Sequence, residues 1–256
     1  MKIILLGYGK MGHEIEKTAL QRGHEILAKI DNPEDWKKFK ASKSTSLQVF
    51  ESSSDSKEVV AIEFSTPASA LENIGRCFDM NIPVVCGTTA WYQHLDEVKE
   101  RCIKENQVLF YAPNFSIGMN IMFMLNRQLS KITGKYGYQL GLSETHHIHK
   151  IDKPSGTAVK LAEDIIECNE NYSSWQLTDD NCTDTASRIP TALPIESIRE
   201  GDIFGIHEVT AQSGCDIIRL SHEAFSREGF ATGAVIAAEF ILDKKGVFTM
   251  NDLLNC

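Results

Sequence analysis

The sequence predicts an α/β protein in which an open parallel sheet with crossover helices is followed by a second, α+β domain. Two observations carry this. Up to about residue 112, short β-branched and aliphatic runs alternate with longer stretches of helical period, which is how strand–helix–strand units read. Beyond Asn114 the rhythm changes to a Met- and Leu-rich helix and then several strand-like stretches.

The first-domain strands are expected at 2–6, 25–30, 59–64, 83–86 and 107–111. Between the first two, Met11, Ile15 and Ala19 fall at i, i+4 and i+8, one apolar stripe on a helix that Gly23 can end. Thr66-Pro67 reads as an N-cap followed by proline at the first helical position, opening a helix toward Met80. A third helix runs over 94–106, and the Ser/Lys-rich stretches 41–46 and 51–57 read as exposed connections. In the second domain a helix over 118–133 precedes a strand ending at His149 and a helix from Thr157, with strands near 193–199, 205–210 and 216–222. Residues 169–187 are polar, lack a strong period and read as a long excursion loop or flap. Ala234, Ala237, Ala238 and Ile241 mark a terminal helix over 230–242 that packs back onto the first domain.

The 256 residues carry 26 Lys+Arg against 35 Asp+Glu, a formal charge of −9, which argues against a polybasic nucleic-acid binder. The opening apolar run stops at glycines, too short for a signal-peptide core or a membrane span, and reads as a strand. Seven widely spaced cysteines suggest neither a disulfide framework nor a zinc knuckle, so a reducing cytoplasm is expected. No internal repeat is visible.

Gly7-Tyr8-Gly9-Lys10-Met11-Gly12 fits G-x-G-x-x-G directly after a strand and at the opening of a helix, the context that makes this pattern a dinucleotide fingerprint. Gly7 permits the tight turn, Gly9 the approach of pyrophosphate and Gly12 close helix packing, while the helix N-terminus favours phosphate. Asp31, at the end of the second strand, can accept hydrogen bonds from an adenosine ribose. The first domain is therefore a Rossmann-type dinucleotide-binding domain. An acid at this position favours the free 2′-hydroxyl of NADH; Lys10 in the phosphate loop leaves NADPH open, and the lean is to NADH. Residues 64–67 and 86–89 close the third and fourth strands, where ligands bind in such sheets and where small residues leave room for a nicotinamide. A plain turn-and-cap reading accounts for them equally well.

Residues 144–157 pack three imidazoles and two ammonium groups against a helix N-terminus. Ser155-Gly156-Thr157 with Lys150 can hold a carboxylate, and a neighbouring histidine can move a proton near neutral pH. The expected ligand is a small anion whose reduction leaves a carbanion-like centre to protonate. A metal set on His146, His147, His149 and Asp152 is the competing reading, with His147 and His149 on one strand face; Lys150 opposes it by repulsion. His149 alone reads by default as a buried structural histidine. A sensor that binds nucleotide without chemistry also stays open.

The run 144–158 resembles the E-x-H-H-x-x-K-x-D-x-P-S-G-T-A signature of the 4-hydroxy-tetrahydrodipicolinate reductase (dihydrodipicolinate reductase) family, which acts in the diaminopimelate route to lysine. The resemblance continues through 7–12, 87–89, 112–116, 199–207 and 219–234. It implies His146 as catalytic acid/base and Lys150 as the donor to developing negative charge. His147, Ser155, Gly156 and Thr157 would bind the substrate carboxylates. Gly87, Thr89, Ala112 and Phe115 would line the nicotinamide pocket, with Gly7, Lys10, Met11, Gly12 and Asp31 holding the rest of the cofactor. Asn32 stands where family members often carry Arg, which bears on cofactor preference. With Lys150 close by and the nucleotide fingerprint present, no metal is expected; the resemblance further implies a homotetramer associating through second-domain sheets, and two domains that close on their ligands. It divides the chain into 1–117 plus 227–256 for dinucleotide binding and 118–226 for substrate binding and tetramerisation, with hinges near Ser116 and Ser226.

Overall fold

The computed structural model describes residues 1–44, 58–178 and 189–255. In chain order the elements begin β1 (Lys2–Leu6), α1 (Lys10–Gln21), β2 (Glu25–Ile30), α2 (Pro33–Ser44), β3 (Val59–Glu63), α3 (Pro67–Asp79) and β4 (Val84–Cys86). They continue with α4 (Leu95–Lys104), β5 (Val108–Tyr111), α5 (Ile117–Thr133), β6 (Gln139–His146), α6 (Gly156–Cys168), β7 (Ser174–Thr178) and β8 (Ala192–Arg199). The last are β9 (Gly205–Gln212), β10 (Ile217–Ala224), α7 (Glu228–Ile241), β11 (Gly246–Phe248) and α8 (Met250–Leu254). The chain forms two compact units, Met1–Ile117 with Arg227–Cys256, and Gly118–Ser226. Among the described residues no helix is long and apolar enough to cross a membrane.

The first unit holds a parallel sheet in the order β11-β5-β4-β3-β1-β2. Every residue of β3 is buried, the unbroken pattern of a central strand covered on both faces. Alternation along β1 sorts the core: Ile3 and Leu5 pack with Ile15, Ala19 and the alanines of α7 on one face. Ile4 and Leu6 pack with Ala70, Ile74 and Phe78 of α3 and with Trp36 and Phe39 of α2 on the other. Thr66 caps α3 in a capping box with Ser69, and Pro67 opens the helix. The strand order reverses beside β1, because β2 lies on one side and β3 on the other. The loops leaving β1 and β3 thus part at their carboxyl ends, where such sheets bind ligands.

Helix α2 is absent from the sequence reading: its outer positions are nearly all charged, and among its described side chains Trp36 and Phe39, three apart, are the ones that anchor it. Residues 41–44, expected as a connection, belong to its end. The stretch 51–57 lies outside the described residues.

The second unit is a mixed sheet in the order β10-β9-β6-β8-β7, with β9 antiparallel to β10 and β6, and β8 parallel to β6 and β7. Met119 and Met122 of α5, with Leu161 and Ile165 of α6, pack on Leu140, Leu142, Leu193, Ile195 and Val209. Strand β6 ends at His146 rather than His149, because the chain turns back, with Lys150 N–H donating to the His147 carbonyl at 3.1 Å. His147 and His149 therefore share no strand face, and His149 is exposed rather than buried. The stretch expected as a loop over 169–187 contains β7, whose Trp175 and Leu177 alternate onto the core beside β8. Residues 179–188 lie outside the described residues.

Candidate active site

In the first unit the chain leaves β1 at Gly7 with φ +91°, a conformation that favours glycine, and a Cβ there would fall 2.3 Å from the Phe64 carbonyl oxygen. A Cβ on Gly12 would fall 2.5 Å from the Gly7 carbonyl oxygen, so α1 sits against the turn only without one. Among the described residues nothing lies within 4 Å of the position a Gly9 Cβ would take, and no side chain caps α1. Open backbone and an uncapped helix start fit a pyrophosphate. Tyr8 N–H donates to Asp31 Oδ1 at 2.7 Å, tying the ribose-side acid to the glycine turn. Asn32 is occupied as the cap of α2, accepting from Glu34 and Asp35 N–H at 2.9 and 3.1 Å.

Across the crevice of this unit, Ser65 N–H donates to Thr88 Oγ1 at 2.9 Å, joining the loops after β3 and β4. The Phe64 ring lies over Gly87, since a Cβ there would approach within 2.1 Å of it. Lys10 and Thr89 are exposed and Met11 is half-buried against the core. Ala112 and Phe115 are core residues, the Phe115 ring packing on Phe64 and Phe110 at 5.4 and 5.7 Å between centroids.

The second unit builds its polar site from strand register. Leu140, Leu142, Glu144 and His146 share one face of β6, so the apolar core gives way to a buried acid and a buried imidazole at the strand's carboxyl end. Glu144 pairs with Ser197 of β8 and His207 of β9, His207 in turn with His222 of β10, and His146 with Arg199. Glu144 Oε1 accepts from Ser155 N–H at 3.1 Å, from Arg199 Nη2 at 3.0 Å and from the Ser197 hydroxyl. Its Oε2 lies 2.6 Å from His146 Nδ1. Burial pushes the Glu144 carboxyl up, but His146, Ser197, Ser155 and Arg199 together hold it well below the usual carboxylate range.

Ser155 is the N-cap of α6, accepting from Ala158 N–H at 3.2 Å while its hydroxyl meets His207 Nε2 at 3.2 Å. Burial, then the His146 ring 5.1 Å away, pushes His207 down to about 4, so it is neutral at physiological pH. His147 is half-buried, its N–H donating to the Ile203 carbonyl at 2.7 Å, whereas Gly156 is exposed and Thr157 half-buried at the open start of α6. Lys150 Nζ donates to Asp152 Oδ1 at 2.8 Å. Burial raises the Asp152 carboxyl, but Lys150 and nearby backbone N–H, including that of Gly156, bring it below its ordinary value.

Glu144, His146 and His207 offer ligand atoms within 4.8 Å of one another, a different set from the one the sequence suggested for a metal. The set fits a cation poorly, because the Arg199 guanidinium already occupies the same carboxylate. His207, His222 and Arg199 have no role in the sequence reading; only strand register brings them beside Glu144 and His146.

A doubly wound nucleotide-binding unit joined to a unit bearing a buried imidazole, an ammonium and a helix N-terminus defines a two-domain nicotinamide-dependent oxidoreductase. Family profiles narrow the class: "Dihydrodipicolinate reductase, N-terminus" matches residues 1–115 and "Dihydrodipicolinate reductase, C-terminus" matches 118–254. The chain belongs to the dihydrodipicolinate reductase family. It is 42% identical to the 4-hydroxy-tetrahydrodipicolinate reductase of Christiangramia forsetii, over 100% of this chain and 98% of that protein. It is 31% identical to that of Staphylococcus aureus, over 99% and 100%. Its fold matches a dipicolinate-bound dihydrodipicolinate reductase from Paenisporosarcina sp. TG-14 with a TM-score of 0.76 at 20% identity, covering 97% of each chain.

Proposed function

We propose that the chain reduces 4-hydroxy-tetrahydrodipicolinate to tetrahydrodipicolinate with loss of water, in the diaminopimelate route to lysine, using NADH in preference to NADPH and no metal. The carrying observation is the end of β6, where His146, 7% exposed, stands beside the buried Glu144 and the start of α6. Loss of the 4-hydroxyl together with a hydrogen of the neighbouring ring carbon, as water, leaves a cyclic conjugated imine, and a reduced nicotinamide held by the first unit would supply the hydride that adds at its C4. His146 delivers a proton to the neighbouring carbon, and Lys150 offsets the negative charge that develops on the substrate. His147, Thr157 and the backbone N–H groups at Gly156 and Thr157 hold the two carboxylates, with Ser155 fixing the helix start through its cap. Asp152 supports this assignment, since Lys150 and Gly156 N–H already favour a carboxylate between them.

On the nucleotide side, Gly7, Gly9, Lys10, Met11 and Gly12 cradle the pyrophosphate, and Gly87, Thr89, Ala112 and Phe115 shape the nicotinamide end. The NADH preference rests on Asp31 and on the use of Asn32 as a helix cap, which leaves no guanidinium there for a 2′-phosphate. Residues 1–117 with 227–256 form the dinucleotide domain; 118–226 form the substrate domain, whose sheet associates in the homotetramer. A cytoplasmic setting suits the free thiols of Cys77, Cys86 and Cys102, all buried.

His146→Gln and Lys150→Ala should each lower kcat by about 10²–10⁴-fold. The NADH dissociation constant from fluorescence titration should stay within about twofold of wild type. Wild-type turnover in both variants would remove these residues from the mechanism.

A further inference from the structure

We infer that Glu144 is a positioning residue that fixes the His146 proton on Nδ1, and that Gly205 keeps the opposite nitrogen, Nε2, open as the atom that exchanges a proton with substrate. The inference rests on His146 acting as the acid/base.

The two oxygens of the Glu144 carboxylate are used differently. Oε1 takes three protein donors, from Ser155 N–H, the Ser197 hydroxyl and Arg199 Nη2. Those three contacts would by themselves satisfy and anchor a buried carboxylate 1% exposed. Among the described residues Oε2 is left without a hydrogen-bond partner of its own, as is His146 Nδ1, and these two buried atoms stand 2.6 Å apart. An ionised carboxylate only accepts, so the nitrogen facing it must carry the hydrogen. In a neutral ring that leaves the lone pair on Nε2, and in the charged ring it makes Nε2–H the transferable proton. Arg199 and the serine contacts keep Glu144 ionised and in place, so it orients the ring without itself changing charge, as the carboxylate does in serine-protease triads.

The other side of the ring gives an independent observation. A Cβ on Gly205 would stand 2.9 Å from His146 Nε2 and 3.3 Å from its Cδ2. Gly205 opens β9 with an ordinary backbone, so it is not required there by a left-handed conformation. What its missing side chain provides is room at Nε2. One end of the imidazole therefore faces a carboxylate at 2.6 Å and the other is cleared, an asymmetry that packing alone does not require.

The test is nitrogen NMR on the full chain labelled with ¹⁵N-histidine, the His146 signals being assigned by their loss in His146→Gln. The expected wild-type spectrum shows protonated Nδ1 and unprotonated Nε2 in the neutral ring. In Glu144→Gln the amide can donate to Nδ1, so the signals should exchange character. Its kcat should fall by about 10²–10⁴-fold, as for the analogous change in a triad. The KM for NADH should move less than about twofold. Gly205→Ala retains the carboxylate and should keep the wild-type signals while losing kcat, which preserves the test if Glu144→Gln does not fold. A neutral wild-type ring protonated on Nε2, or full turnover in Gly205→Ala, would overturn the inference. Full turnover in His146→Gln would instead remove the acid/base reading, while the spectrum would still report whether Glu144 orients the ring.

Discussion

At the scale of single residues, the site shows what clustering in sequence can and cannot disclose. His146, Lys150 and Ser155-Gly156-Thr157 lie within a dozen positions, so their clustering along the chain could be read before any fold was known. Arg199, His207 and His222 lie more than fifty positions away and meet Glu144 and His146 only through the pairing of β6 with β8 and β9, and of β9 with β10. Register is not written in any local pattern. Asn32 is a third case: it is visible as a departure from the family, but its work as the cap of α2 emerges only from its contacts with Glu34 and Asp35 N–H. Asn32→Arg should raise the NADPH-to-NADH ratio of kcat/KM by about tenfold or more, because a guanidinium can pair with a 2′-phosphate. Loss of the cap should cost about 1 kcal/mol in denaturant unfolding. An unchanged ratio would show that position 32 does not set cofactor choice.

At the scale of elements, helices with a clear apolar stripe and an end signal were legible. Helix α1 follows from Met11, Ile15 and Ala19, and α3 from its Thr66-Pro67 start. Helix α2 was hidden because tertiary packing of Trp36 and Phe39, rather than periodicity, holds it. The three-residue β11 is too short to show alternation, and it pairs with β5 as an edge strand. The junction of β1 and α1 is the element-level feature that the nucleotide reading needs most. Gly12→Ala places a methyl 2.5 Å from the Gly7 carbonyl, so α1 must shift outward from the turn. The expected result is at least a tenfold weaker NADH dissociation constant, with overpacking costing about 1–3 kcal/mol of stability. Unaltered NADH affinity in a folded Gly12→Ala variant would count against pyrophosphate binding at this turn.

At the scale of the whole molecule, the change of rhythm after Asn114 disclosed two domains of different class, and the alanine-rich α7 disclosed the return of the chain to the first. Molecular stability should carry the imprint of the buried site. His207 titrates at about 4 in the folded chain against an ordinary 6.5, so the unfolded chain takes up the proton first as pH falls. Its contribution is present above pH 6.5 and is lost on acidification toward 4, amounting to roughly 3 kcal/mol. Glu144, held below its ordinary range, adds a loss in the same direction at lower pH. Denaturant midpoints measured from pH 8 to about pH 4 should fall, and His207→Asn should flatten the upper part of that fall. A midpoint flat across this range would contradict the buried, neutral state of His207. The central claim, reduction of this substrate by this chain, is tested most directly by supplying purified protein with freshly generated 4-hydroxy-tetrahydrodipicolinate and following reduced-nicotinamide absorbance with NADH and NADPH in parallel. The account predicts one nicotinamide oxidised per substrate consumed, with the higher kcat/KM for NADH. Protein that binds either nucleotide yet oxidises neither in the presence of that substrate would contradict it.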